Sequence, residues 1–269
     1  MQVIFCGTGA GPFTRERASS GLVLQHDGGT LMLDCGPGAV RGAMQAGIRL
    51  ETIEAVVLSH LHSDHVLDLT ALVLHQRFRG WRLQTVYGPR GAGAVAGAAT
   101  GFVATTPSRH PAALPPTVEI SGTDEREICG FVVHSEETLH APLVMGNARR
   151  LAVQGRVVVY SGDTQPNPAT IVPLAKGADL LIHECYGEEQ LQRRVAAMPG
   201  AVGEEYYRAI TSTHTEVSHA AAIARDAGVR RLALTHLFPW DETDALRTKA
   251  ARVFDGDLVL AHDGLVLTV

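Results

Sequence analysis

Short apolar runs broken by glycine-rich turns dominate the first third of the chain. VIF from Val3, LVL from Leu22 and LML from Leu31 each predict a strand of a few residues. Residues 38–46 then predict a helix, and AVVLS from Ala55 predicts a buried strand. The pattern recurs further on. VVVYSGD from Val157, DLLIHE from Asp179 and RRLALTH from Arg230 are apolar runs that end in polar residues. Helical stretches are expected at about 191–197 and 218–227, a close-packed Ala/Gly-rich helix at 91–101, and a Pro-rich surface loop at 107–116. The closing segment DLVLAHDGLVLTV predicts a hairpin turning at Asp263-Gly264. Residues 77–84 and 198–213 have no clear period and are expected to be loops that wall a substrate pocket. Strands alternate with helices, without repeats or a low-complexity linker, so residues 1–269 are expected to form a single α/β domain.

Composition narrows the class. A chain of 269 residues with 45% hydrophobic residues is long enough for a sizeable core, and no apolar run approaches the length of a membrane span. The N-terminus MQVIFCGTGAGP lacks the basic start of a secretory signal, so the cytoplasm is the expected location and no membrane partner is expected. Cys6, Cys35, Cys129 and Cys185 form no CxxC pair and are expected to be reduced thiols in the core. The net charge of −5 gives no sign of an extended nucleic-acid footprint. GTGAG at Gly7 to Gly11 lacks both the Lys-Ser/Thr of a phosphate loop and the spacing of a dinucleotide fingerprint, and reads as a tight turn.

The densest chemistry lies in SHLHSDH, Ser59 to His65, directly after a predicted strand. Neutral imidazoles and one carboxylate are the donors that zinc and similar divalent ions prefer. Four adjacent groups crowd a single tetrahedral ion, so the spacing suggests two ions sharing one loop, with further donors at His140, Asp163 and His236. His183 and Glu184 read as structural or supporting residues outside the ligand set, and His26, His75, His110 and His262 as incidental.

SHLHSDH, TLHAP around His140, SGDT around Asp163, LLIHEC from Leu181 and the stretch from His214 to His236 together resemble the metallo-β-lactamase superfamily, and within it the ribonuclease Z branch of phosphodiesterases. FCGTGAG and LMLDCGPG extend the likeness towards the N-terminus. The resemblance implies an αββα sandwich of two mixed sheets with helices on the outer faces, and a dinuclear site. His60, His62 and His140 would hold one zinc, Asp64, His65 and His236 the other, with Asp163 bridging; manganese or iron are alternatives to zinc. It further implies Asp34 as the residue that orients a histidine ligand, Asp64 and His214 as catalytic residues, and His214 as the proton donor to the leaving oxygen. A hydroxide held between the ions would be the nucleophile.

The match also departs from the branch. Only 22 residues separate His140 from Asp163, which leaves no room for the long arm that grips transfer RNA. The loop near the RNA cleavage site appears as PFTRERASS from Pro12, keeping Arg15 and Arg17 as candidate substrate contacts but with Ala18 where the branch has asparagine. On these grounds the expected partner is a small anionic ester, most plainly a phosphodiester, without an extended nucleic-acid footprint; a homodimer is possible. Lactone, β-lactam or thioester hydrolysis on the same metals is the alternative, followed by transfer-RNA 3′ processing and a non-enzymatic metal-binding protein.

Overall fold

The computed structural model describes residues 1–11, 13–140 and 145–269. Its chain divides into two compact units, residues 1–132 with 262–269, and residues 133–261. The first unit opens with β1 (Gln2–Gly7), β2 (Gly21–His26) and β3 (Gly29–Leu33), followed by α1 (Ala39–Gln45), β4 (Ala55–Val57), α2 (Ser63–Val66), α3 (Leu69–Arg79), β5 (Thr85–Gly88), α4 (Ala92–Ala104), β6 (Thr117–Glu119) and β7 (Asp124–Ile128). β8 (Phe131–Thr138) runs across the boundary. The second unit continues with β9 (Gly146–Val153), β10 (Arg156–Tyr160), α5 (Pro168–Ala175), β11 (Leu180–Glu184), α6 (Glu188–Ala196), α7 (Gly200–Thr213), α8 (Val217–Ala227), β12 (Arg231–Thr235), α9 (Thr243–Ala250) and β13 (Asp257–Leu260), before β14 (Val266–Thr268) returns to the first.

Among the described residues there are two seven-stranded sheets, ordered β14-β1-β2-β3-β4-β5-β6 and β13-β12-β11-β10-β9-β8-β7. Both are mixed. In the first, β1, β2 and β3 are antiparallel neighbours and β3 to β6 run parallel; in the second, β9 and β10 are antiparallel and β10 to β13 run parallel. Parallel neighbours need a crossover, which the helices supply, and strands covered on both faces read as unbroken apolar runs. This is why AVV, VVVY, LLI and LAL stood out in the sequence.

Each unit has its own core. In the first, Met32, Val56 and Val86 pack with Leu69 and Leu72 of α3 and with Ala92, Ala96 and Ala99 of α4. In the second, Val159, Leu181, Leu232 and Leu234 pack with Ile171 and Leu174 of α5 and with Ala220, Ala221 and Ala224 of α8. Leu181 has no exposure, so its truncation to alanine costs about 2–5 kcal/mol. Small residues let the helices approach closely: a Cβ on Gly42 of α1 would meet the Cys6 carbonyl oxygen at 1.9 Å. No described helix is long and apolar enough to cross a membrane.

Three readings of the sequence change here. Residues 77–79 of the expected loop at 77–84 are the last turn of α3. The segment at 198–213 is largely the helix α7, with Pro199 at its N-cap and Gly203 and Ile210, seven positions apart, on its buried face; its two glycines hid the period. The closing segment is not a hairpin, because β13 pairs with β12 in one sheet and β14 with β1 in the other.

Candidate metal centre

In the first unit the ligand-type residues follow two neighbouring parallel strands, β3 and β4. Asp34 follows β3 with φ 56°, a left-handed conformation that Asp adopts more readily than most residues. This conformation accompanies a carboxylate aimed at the end of β4. Asp34 Oδ1 accepts the Ser59 N–H at 2.6 Å, and its Oδ2 lies 2.8 Å from both the Ser59 hydroxyl and His65 Nδ1. Both Asp34 and His65 are fully buried. His60 Nδ1 lies 3.1 Å from the Ser59 hydroxyl, and its Nε2 is 3.0 Å from His62 Nδ1. Asp64, in the first turn of α2, accepts the Gly11 N–H at 2.8 Å and places Oδ2 3.8 Å from His65 Nε2.

In the second unit, Tyr160 pairs with Ile182 and Glu184 with Thr235, so β10, β11 and β12 end together at one edge. Carboxyl ends of parallel strands are where α/β folds gather functional groups. Asp163 lies beyond β10, Glu184 ends β11 and His236 follows β12 at φ 55°, repeating the left-handed turn seen at Asp34. Asp163 Oδ2 lies 3.3 Å from His236 Nε2 and 4.0 Å from His140 Nε2. His140 Nδ1 lies 2.9 Å from the Thr213 carbonyl oxygen, which accepts its proton. Burial pushes the His140 pKa down, against the opposing charge of Asp163. His214 caps the C-terminus of α7, stacks against His236 at 5.3 Å between ring centres, and meets the Glu184 carboxylate at 3.3 Å through Nδ1.

These donors fit divalent ions. Asp34 and the Thr213 carbonyl accept protons from the Nδ1 atoms of His65 and His140, which leaves each Nε2 as the lone-pair donor, the arrangement metal-ligating histidines use. Neighbouring donor atoms within each unit lie 3.0–4.0 Å apart, close to the roughly 3.4 Å edge of a tetrahedron with 2.1 Å zinc–nitrogen bonds. Asp163, His214 and His236 of the second unit offer ligand atoms all within 4.8 Å of one another.

The loop after β1 carries Arg15, which is exposed, and Arg17, whose guanidinium donates to the Thr8 hydroxyl at 2.5 Å. With Phe13, Arg41, Gln45 and Asp263 they line a cavity of about 380 Å³. Pro12 of the PFTRERASS motif and residues 141–144 of the segment after His140 lie outside the described residues. Sequence reasoning assigned Glu184 a supporting part without a partner. In the structure it is buried, accepts the Thr164 and Thr215 N–H groups at 3.2 and 2.8 Å, and faces His214; burial first, then the charge of Asp163, raises its pKa well above the carboxylate range. Its signal was the acidic residue ending LLIHE, but the sequence could not say which histidine it faces.

A profile described as the β-lactamase superfamily domain matches residues 30–237. The chain belongs to the metallo-β-lactamase superfamily and is a metal-dependent hydrolase with that fold. Within the superfamily it is similar to proteins named ribonuclease Z: the one from Methanopyrus kandleri is 30% identical, with 98% of this chain and 96% of that protein covered. The one from Haloarcula marismortui is 28% identical over the same shares of the two chains. Among solved structures, the metallo-β-lactamase fold protein YhfI from Bacillus subtilis superposes with a TM-score of 0.78 at 25% identity, covering 99% of both chains. Human tRNase Z, short form, shares the fold with a TM-score of 0.75 at 22% identity, covering 100% of this chain and 99% of that one.

These relatives overturn one expectation. A small-molecule ester partner without a nucleic-acid footprint does not stand beside end-to-end relatives that bear the name ribonuclease Z. The expectation rested on the short segment after His140, on Ala18 and on net charge; the last is a sum over the whole surface and says nothing of where charge lies. Arg15, Arg17 and Arg41 line one cavity together with Glu16 and Asp263.

Proposed function

We propose that the chain is a metal-dependent phosphodiesterase that cleaves RNA, working in the cytoplasm with two zinc ions. His60, His62 and His140 hold one ion; Asp64, His65 and His236 hold the other; Asp163 is shared. The observation that carries this reading is the set of anchored imidazoles, with His65 on Asp34 and His140 on the Thr213 carbonyl, each presenting Nε2. Whole-length likeness to proteins named ribonuclease Z supports RNA as the substrate class. When bound, such ions supply positive charge at phosphoryl oxygens and bring the pKa of water towards neutrality.

The protein residues do the rest. Asp34 fixes the His65 tautomer, and the Gly11 amide fixes one oxygen of Asp64. Glu184 orients His214 through Nδ1, leaving Nε2 to carry a proton to the departing ribose oxygen. Arg15 and Arg17 contact phosphates flanking the cleaved bond.

The test is cleavage of a labelled transfer-RNA precursor with a 3′ extension by protein of measured zinc content. Metal-dependent cleavage that is abolished in Asp64→Ala is expected. Failure to cut RNA at full zinc occupancy, with turnover of a lactone or thioester instead, overturns the reading. His214→Ala should slow RNA cleavage by about 10²–10⁴-fold, while bis(p-nitrophenyl) phosphate, whose aryl oxygen leaves unaided, is affected far less. Equal losses on both substrates at unchanged zinc content would remove His214 from the proton-donor role.

A further inference from the structure

Asp263 read in the sequence as a hairpin turn residue, yet it turns no hairpin. Its Oδ1 accepts the Thr8 N–H at 3.0 Å and the Thr8 hydroxyl at 2.7 Å, and its Oδ2 accepts the Ala18 N–H at 2.6 Å. These partners lie 255 and 245 positions away, whereas a turn-forming aspartate bonds to its immediate neighbours. Thr8 and Ala18 sit at the two ends of the loop between β1 and β2, so one carboxylate clasps the loop at its base. The Thr8 hydroxyl, donating to Asp263, also accepts from Arg17.

Above the clasp the loop closes on itself. The Gly9 N–H donates to the Ala18 carbonyl at 2.9 Å, and the Ser19 hydroxyl donates to the Gly11 carbonyl at 2.9 Å. Gly7 leaves no slack, since a Cβ there would lie 1.8 Å from the Ser19 carbonyl oxygen. Gly11, at φ 62°, then points its N–H at Asp64 Oδ2, 2.8 Å away. A continuous run of hydrogen bonds therefore leads from Asp263 to Asp64, and its first three bonds end on a carboxylate, the stronger kind of acceptor.

We infer that Asp263 is a positioning residue for Asp64, anchoring the loop whose Gly11 amide holds Oδ2, the carboxylate oxygen that lies 3.8 Å from His65 Nε2. The metal consequence rests on the proposed role of Asp64 as a ligand; the positioning itself does not. The same clasp sets the base of the loop that carries Arg15 and Arg17.

Asp263→Asn in the full chain tests this. It keeps the volume but turns one oxygen into an amide that faces an N–H or O–H donor, deleting at least one bond of the clasp. In the metal-stripped protein, exchange of the Gly11 amide hydrogen should accelerate at least about tenfold, because its bond to Asp64 opens more often. Zinc affinity, by competition with a chromogenic chelator, should fall about 10–100-fold, the usual effect of losing a partner that orients a ligand. Asp263→Glu, which retains two acceptor oxygens, should recover part of both. A folded Asp263→Asn protein with wild-type Gly11 exchange and wild-type zinc affinity overturns the inference. Should that variant fail to fold, Ser19→Ala removes the bond nearest Gly11 and must show the same two changes; unchanged values again overturn it. A wild-type protein that binds no zinc sinks the proposed function instead, and Gly11 exchange still decides whether Asp263 positions Asp64.

Discussion

Replacing Asp34 with asparagine changes one atom in a fully buried side chain. Asparagine tolerates the φ of 56° at this position, so the backbone is left undisturbed. The retained Oδ1 keeps the Ser59 N–H, and the Ser59 hydroxyl can reverse to accept from the new amide. His65 cannot adapt so cheaply. Its Nδ1–H faces Oδ2 at 2.8 Å, and an amide there sets donor against donor. One bond to a charged acceptor is lost and a buried donor is left unsatisfied, together about 2 kcal/mol. At roughly 2–4 °C per kcal/mol for a chain of this size, Tm of the metal-free protein should fall by about 4–8 °C. The ring can escape by moving its proton to Nε2, but that removes the lone pair a metal needs, so zinc affinity should drop about 10–100-fold. Calorimetric scans of metal-stripped protein and chelator competition measure the two effects separately. A variant with wild-type Tm and wild-type zinc affinity would refute the claim that Asp34 orients His65.

Gly36→Ala should cost about 3 kcal/mol and weaken zinc binding, because its Cβ would sit 1.9 Å from the Asp64 carbonyl oxygen and 2.9 Å from that of Ser20; denaturant unfolding and chelator competition check both, and a cost below about 1 kcal/mol would contradict the packing. His183 is fully buried, donates Nδ1–H to the Glu184 carbonyl at 2.7 Å, and its Nε2 has no hydrogen-bond partner among the described residues. Burial lowers its pKa from 6.5 to about 4. The unfolded chain therefore takes the proton first: the contribution of neutral His183 is complete above about pH 6.5 and is lost as pH falls to about 4, amounting to about 3 kcal/mol. Urea midpoints of the wild type and His183→Gln across that window should converge as pH falls, and parallel curves would show that this imidazole does not drive the loss.

The sequence alone determined much of this protein, because the physics involved is local. Apolar runs of strand length marked β1 to β4 and β10 to β12, and small residues in 91–101 marked α4. The ligand-type residues were legible because divalent ions accept few donor types, and their position just past each apolar run put them at strand ends: His60 to His65 after β4, Asp163 after β10, His236 after β12. Other features were decided only by tertiary structure. α7 was hidden because glycines blur a helical period that burial of Gly203 and Ile210 makes real. The left-handed turns at Asp34 and His236 have no sequence mark, since nothing but the surrounding packing makes a non-glycine residue adopt them. Glu184 found His214, and Asp263 found Thr8 and Ala18, across 30 and up to 255 positions, distances that no periodicity encodes. Local pattern records which face a residue buries and which atoms it can donate, whereas a hydrogen bond between distant segments exists only after the chain has folded and brought its ends together.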